Sequence, residues 1–291
     1  MRFITLLVIL LLLVLGGAGW WAWQHDALPA WVLNLTNQGV KLQESIHTSS
    51  PLRGPLAPIS TALTADGVVR ETNGERTASS RPALKRNSIL DKAAAAKIDD
   101  MFAQQYFEHV SPQGKGPGDV IAAAGYTYIT VGENLAMGNF DGDEALVQAW
   151  MDSPGHRANI LNPDFLEIGV AVRQGTFEGR STWLAVQEFG TPRSACPIPA
   201  GSASKNIEAA KAALSRLETD LANLKKAIDA KTKEYKQHPS EETQAEIQAL
   251  ADEYNRQVAI YNAKQTQLQK DITAYNSQIK AANTCITTYT S

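Results

Sequence analysis

Cysteine is nearly missing from this chain. Cys196 and Cys285 are the two thiols in 291 residues, which rules out a four-cysteine zinc site and a small disulfide-knotted scaffold and leaves room for one bridge. Charge of a single sign is lacking too: 27 Lys and Arg against 30 Asp and Glu give a formal net charge of −3, with no acidic or basic tail. That balance speaks against disorder throughout and against a general nucleic-acid-binding surface, so no nucleic-acid partner is expected. Long hydrophobic runs are absent except at the start. With 44% hydrophobic residues the remainder still suffices for a sizeable core.

The exception runs from Phe3 to Trp23 without a charge. Its twenty-one residues span roughly 32 Å as a helix, enough to cross a hydrocarbon core. Arg2 lies on one side and Trp20, Trp21 and Trp23 on the other, as the positive-inside bias and an interfacial aromatic belt would place them. Residues 1–24 are therefore expected to be a single-pass transmembrane anchor, with the membrane as partner and the bulk of the chain outside the cytoplasm. The rival is a signal peptide cleaved near Gly17-Ala18-Gly19, which leaves a secreted protein. Residues 25–58, without sustained periodicity and punctuated by Pro51, Pro55 and Pro58, read as a linker.

The other end is regular. Ile207, Ala210, Leu214, Leu217, Leu221, Leu224, Ile228 and Tyr235 make a heptad stripe in which Lys231 occupies one seam position. His238-Pro239-Ser240 interrupts it, Pro239 ending one helix and Ser240 placed to cap the next. A second stripe follows through Ile247, Tyr254, Val258, Tyr261, Leu268, Ile272, Tyr275 and Ile279. Residues 195–291 are thus expected to form an antiparallel coiled-coil hairpin. Its first helix carries eight basic against five acidic residues and its second four against six, a bias of the attractive sign. Antiparallel pairing brings Cys196 and Cys285 to one end, where a disulfide is expected in an oxidising compartment. The hairpin has no chemical motif and reads as a spacer or a surface for self-association.

Residues 59–194 hold the globular domain. Leu90 to Phe102 mark an amphipathic helix, Ala145 to Trp150 another, and Ser153-Pro154 starts a short third that ends near Asn162-Pro163 and carries His156. Ile168, Val170 and Val172, a turn at Phe177-Glu178-Gly179, and then Trp183, Ala185 and Gln187 predict an antiparallel hairpin, so the fold class is α+β. Of five histidines, His109 and His156 fall in this domain, with Glu133 between them. Two imidazoles and a carboxylate suit a cleft that binds a divalent cation or activates a water, and equally suit three hydrogen-bonding residues that tie loops together. No serine or cysteine nucleophile stands out beside a histidine in these motifs. Trp150 and Trp183 read as core, Asn134 and Asn159 as loop ties.

The wording of the segments adds to this. Tyr106-Phe107-x-His109-x-Ser111-Pro112, Gly125-Tyr126, Gly132-Glu133-Asn134-Leu135-Ala136, Ala149-Trp150-Met151-x-Ser153-Pro154-Gly155-His156-Arg157-x-Asn159-Ile160-Leu161 and Ile168-Gly169-Val170 resemble the bacterial branch of the CAP superfamily. That superfamily comprises the cysteine-rich secretory, antigen 5 and pathogenesis-related 1 proteins. The resemblance covers residues 60–192 and not the anchor, linker or tail. It implies a three-layer α-β-α sandwich with a large open cleft holding a His-Glu-Glu-His tetrad. His109, Glu133 and His156 match three of the four positions; the fourth falls to Asp119, in Pro117-Gly118-Asp119-Val120. Some members bind a divalent cation such as zinc between the histidines, and the shorter Asp119 puts a full site in question. Three functions compete: a binding module for a lipid, peptide or cell-envelope fragment, a hydrolase using a His/Glu-bound water or metal, and a scaffold for the hairpin. Whether the chain is an enzyme stays open at this point.

Overall fold

A computed structural model of the chain describes residues 44–55 and 61–290. The expected anchor, and the expected linker as far as residue 43, lie outside the described residues. Among the described residues, no helix is long and apolar enough to cross a membrane. They divide into two compact units, Ile198–Lys280 on the one hand and, on the other, the residues up to Pro197 together with those from Ala281 onward.

The larger unit runs β1 (Ser45–Thr48), β2 (Leu52–Arg53), α1 (Ala65–Ala78), β3 (Lys85–Arg86), α2 (Ser88–Gln104), α3 (Pro117–Ala123), β4 (Tyr128–Gly138), α4 (Gly142–Asp152), α5 (Pro154–Ile160), β5 (Glu167–Phe177) and β6 (Arg180–Pro192). Its sheet has the order β1-β4-β6-β5-β3, with β2 also on β4. The three long strands are antiparallel, while the short ones add in parallel at the two edges. The predicted β5-β6 hairpin is present. Glu178 and Gly179 both take positive φ, 49° and 77°, as the mirror-image two-residue turn demands.

Alternation along the strands divides the core. Ala136, Ile168, Val170, Ala185 and Phe189 face Val68 of α1, Leu146, Val147 and Trp150 of α4 and Ile160 of α5. On the opposite face Leu135, Met137, Ala171, Leu184 and Val186 meet Ala94, Ile98 and Met101 of α2. Helices thus cover both faces, and β4 is buried along its whole length. The domain mixes helices with a largely antiparallel sheet, in keeping with the α+β sandwich that was expected. Trp150 is core, with its indole N–H donated to the Leu135 carbonyl, and Trp183 packs half-buried against the same cluster.

Two boundaries differ from expectation. Residues 45–48 and 52–53, placed in the linker by sequence, are strands: Ser45 to Thr48 pair with Thr130 to Glu133, and Leu52 and Arg53 with Ala136 and Met137. A parallel edge strand is held through its backbone, so the side chains need not alternate and no pattern announces it. The chain's last turns, expected in the hairpin, belong with the sandwich. There Ile286 packs with Ile129 of β4 and Cys196, beside the Cys196–Cys285 disulfide, whose Cα atoms lie 5.6 Å apart.

The second unit is formed by α6 (Gly201–Gln237) and α7 (Glu241–Thr288), the latter as far as Lys280. Ile207 and Leu214 of α6 pack with Tyr261, Leu268 and Ile272 of α7. Tyr261 donates its hydroxyl to Glu218 at 2.9 Å, and Lys231, the seam lysine, pairs with Glu246 at 2.7 Å. Early α6 therefore meets late α7, an antiparallel pair. Ser240 caps α7 as expected, its hydroxyl accepting from the Thr243 amide.

Candidate functional site

The edge of β4 opposite β6 is where the chemistry-bearing side chains gather. Glu133 sits at its middle, on the face it shares with Val131 and Leu135, and the antiparallel register sets Glu188 of β6 directly beside it. Both carboxyls are fully buried. His109 arrives from the loop after α2, which ends on Gln105 in the left-handed conformation. Lys97 of α2, itself buried, fixes that loop by donating to the Glu108 and His109 carbonyls, at 2.8 Å each. His156 stands in the first turn of α5, set by the Ser153-Pro154 start. The Ser153 hydroxyl does not cap the helix backbone; it shares a 2.8 Å hydrogen bond with His156 Nδ1.

The contacts fix what each ring does. His109 Nε2 donates to the Ser49 carbonyl, in the turn between β1 and β2, which places a hydrogen on that nitrogen. Its Nδ1 meets Glu133 Oε1 at 2.6 Å, so ring and carboxyl hold one proton between them. Behind them runs a buried amide relay. Asn159 donates to the Glu133 carbonyl and to Asn134 Oδ1, Asn134 donates to the His156 carbonyl and to Gln187, and Gln187 donates to Thr72 of α1. These are the loop ties expected of Asn134 and Asn159. Buried amides satisfied in this way rigidify their surroundings.

The electrostatics follow from burial. Glu188 is held well above the usual carboxyl range, first because it is enclosed and then because Glu133 is beside it; the carboxyls share a proton, and the Lys97 ammonium opposes this only in part. His156 is lowered to about 4 by burial and by the neighbouring His109 ring, with the Leu135 backbone acting weakly in the other direction. It is therefore a neutral imidazole at neutral pH. Lys97 is itself pulled below the ordinary lysine value by burial, against the attraction of Glu133 and Glu188.

Of the four residues expected in the cleft, His109, Glu133 and His156 converge. Asp119 does not join them. It is exposed and accepts from the Gly116 amide at 2.9 Å, capping the helix it starts. Glu188 is the second carboxyl instead. Sequence reasoning missed it, although a signal existed: with Leu184 and Val186 it lies on the inward face of β6, where an acid is out of place. Lys97 was missed in the same way, seven residues after Leu90 on the buried face of α2. The Ser49 carbonyl could not have been found, since a backbone atom leaves no mark on the sequence.

A divalent cation does not fit the residues as they stand. Both nitrogens of His109 are engaged, and His156 offers Nε2 alone. Among the described residues, no three His, Cys, Asp or Glu side chains form a set that would hold a metal ion. No chemical step is therefore routed through one.

Comparison with known proteins gives three results. Residues 69–189 match the model of the CAP family, described as the cysteine-rich secretory protein family. The uncharacterized protein YkwD of Bacillus subtilis is 42% identical over 133 residues, 46% of this chain and 49% of that one. The uncharacterized membrane protein YlbC of the same organism is 35% identical over 81 residues, 28% of this chain and 23% of that one. The matches therefore span about half or less of those relatives. Among solved structures, an extracellular protein containing a SCP domain from Bacillus anthracis is similar over 45% of each chain, at 28% identity and a TM-score of 0.37. An outer surface protein from Borrelia burgdorferi is similar over 43% of this chain and 90% of its own, at 21% identity and a TM-score of 0.37.

Proposed function

Because this chain carries a bacterial CAP superfamily domain, matched over residues 69–189, we propose that it is an extracytoplasmic binding module whose His/Glu-lined groove takes a lipid, a peptide or a cell-envelope fragment. The observation that carries this reading is a set of buried polar groups that the fold satisfies poorly: Glu188 has only the Glu133 carboxyl to share its proton with, and His156 Nε2 meets no side-chain partner. Buried polar groups are almost always satisfied, and a cluster of exceptions beside a rigid amide relay marks a place prepared for something else. The Cys196–Cys285 bridge supports a compartment outside the cytoplasm. In this reading residues 3–23 tether the domain to the membrane, or are removed on export, and the helical hairpin carries self-association.

A hydrolase is the second reading, and one contact favours it. Ser153 Oγ lies 2.8 Å from the neutral His156 ring, a hydroxyl beside a histidine that the sequence did not reveal. The opposite nitrogen of that ring has no carboxylate to orient it, which ranks this reading below binding.

One experiment separates the two. The purified chain is screened against lipid vesicles, peptidoglycan fragments and peptides, alongside Glu133→Gln and Ser153→Ala variants. A binding module gives retention of a ligand that Glu133→Gln weakens and Ser153→Ala leaves unchanged. Turnover abolished by Ser153→Ala, with the melting temperature intact, replaces binding by hydrolysis. Absence of any retained ligand or turnover rejects both.

A further inference from the structure

Residues 45–53 do not form an ordinary sheet edge. β1 pairs with β4 as far as Glu133 and β2 resumes at Ala136, so Ser49 to Pro51 bow away from the edge where His109 and Glu133 meet. At this crossing Ser49 gives its backbone carbonyl to His109 Nε2. It also lies against the start of α5: a Cβ added at Gly155 would stand 2.7 Å from the Ser49 Cβ. Just before it, the His47 carbonyl accepts from Asn159 at 3.5 Å. The segment thus reaches the same Asn159 and His109 that hold Glu133.

The fit is good along the backbone and incomplete in the side chains: Ser45 donates to Thr130 at 2.7 Å and His47 meets Phe165 edge-on, but the crossing at Ser49 is unsatisfied. Ser49 Oγ is itself buried without a partner, and His156 Nε2 has no side-chain partner. A purpose-built edge strand would not leave such polar atoms over. Pairing along an exposed strand by main-chain bonds, with pockets for alternate side chains, is how extended peptides are recognised. Resting on the reading of this domain as a binding module, we infer that residues 45–53 are an internal ligand. They lie in a groove that accepts an extended polypeptide as a parallel strand on β4, with a backbone carbonyl on His109. An occupant from outside fills the groove after this segment leaves it. A better-matched peptide places a polar group on His156 Nε2, where the internal segment supplies none.

The test uses the full chain and a fluorescent synthetic peptide of residues 44–55 added in trans. Two variants release the segment by different means: His47→Pro with Thr48→Pro removes successive amide donors from β1, and Ser49→Trp cannot fit against Gly155. Both are expected to bind the peptide at least about tenfold tighter than the unchanged chain, and His109→Ala added to either to lower that affinity about fivefold. In the unchanged chain, amides of residues 45–49 are expected to exchange with deuterium about a hundredfold faster than those of β6, through an opening short of global unfolding. Equal peptide binding by released and unchanged chains, or exchange as slow as in β6, overturns the inference. Released chains that ignore the peptide but retain vesicles or peptidoglycan fragments overturn it while leaving the binding module intact; chains that retain nothing reject both. Should the proline variant fail to fold, Ser49→Trp and the exchange rates of the unchanged chain decide.

Discussion

Glu188 is held above the usual carboxyl range because two effects agree: enclosure disfavours the charge, and Glu133 beside it disfavours a second one. Its value is raised on folding, so what it contributes to stability is fully present below the ordinary carboxyl value and is lost as the pH rises above it. Glu188→Gln, a neutral residue of the same shape, removes this loss. The variant is expected to melt higher than the unchanged chain at pH 8 and to converge with it near pH 4, which thermal melts across that range will read. His156 acts on the acid side. Its value is lowered to about 4, so its contribution, present above pH 6.5, disappears as the pH falls toward 4. His156→Gln is expected to flatten that limb of the same profile. Lys97 holds several groups at once. Lys97→Met leaves the Glu108 and His109 carbonyls without their donor and two carboxyls without their cation. A loss of roughly 3–5 kcal/mol is expected in urea unfolding, as for a buried charge network broken from one side.

At the scale of elements, α2 and β5 come together at Gly169 with no room for a side chain. A Cβ at Gly169 would overlap the Leu90 carbonyl carbon and the Asp91 nitrogen, both of them backbone, which cannot yield as a side-chain tip can. Asp91 then closes the junction by accepting from the Val170 amide. Gly169→Ala is therefore expected to cost about 3 kcal/mol in chemical unfolding, at the upper end for overpacking. This glycine was legible in the sequence as part of Ile168-Gly169-Val170, but its reason was not, because two distant segments meet there. Helices with a clean apolar face were readable, and so were the turn at Glu178-Gly179 and the cap at Ser240, since each obeys a local rule. α1 was not: its buried residues include Gly67, Thr72 and Arg76, and Arg76 spends itself on the Pro82, Ile160 and Asn162 carbonyls. Polar residues that serve a core from within look like surface in a one-dimensional pattern. The site divides along the same line. His109, Glu133 and His156 stand in recognisable motifs, whereas Glu188, Lys97 and the Ser49 carbonyl take their meaning from strand register and from backbone.

For the whole molecule, the decisive feature is where the chain leaves and re-enters the sandwich. It departs after Pro197 and returns at Ala281, and the Cys196–Cys285 bridge joins the two passages. The helical hairpin is accordingly an insertion with both roots covalently tied, not a tail. Its tip at His238, Pro239 and Ser240 is exposed and lies outside both helices. A protease that cuts once at this tip severs the polypeptide but not the molecule. The nicked protein should migrate as a single species on a non-reducing gel and as two fragments after dithiothreitol. As a spacer, the hairpin survives its own cleavage wherever its surroundings keep the bridge oxidised, because a cut arm stays attached through it.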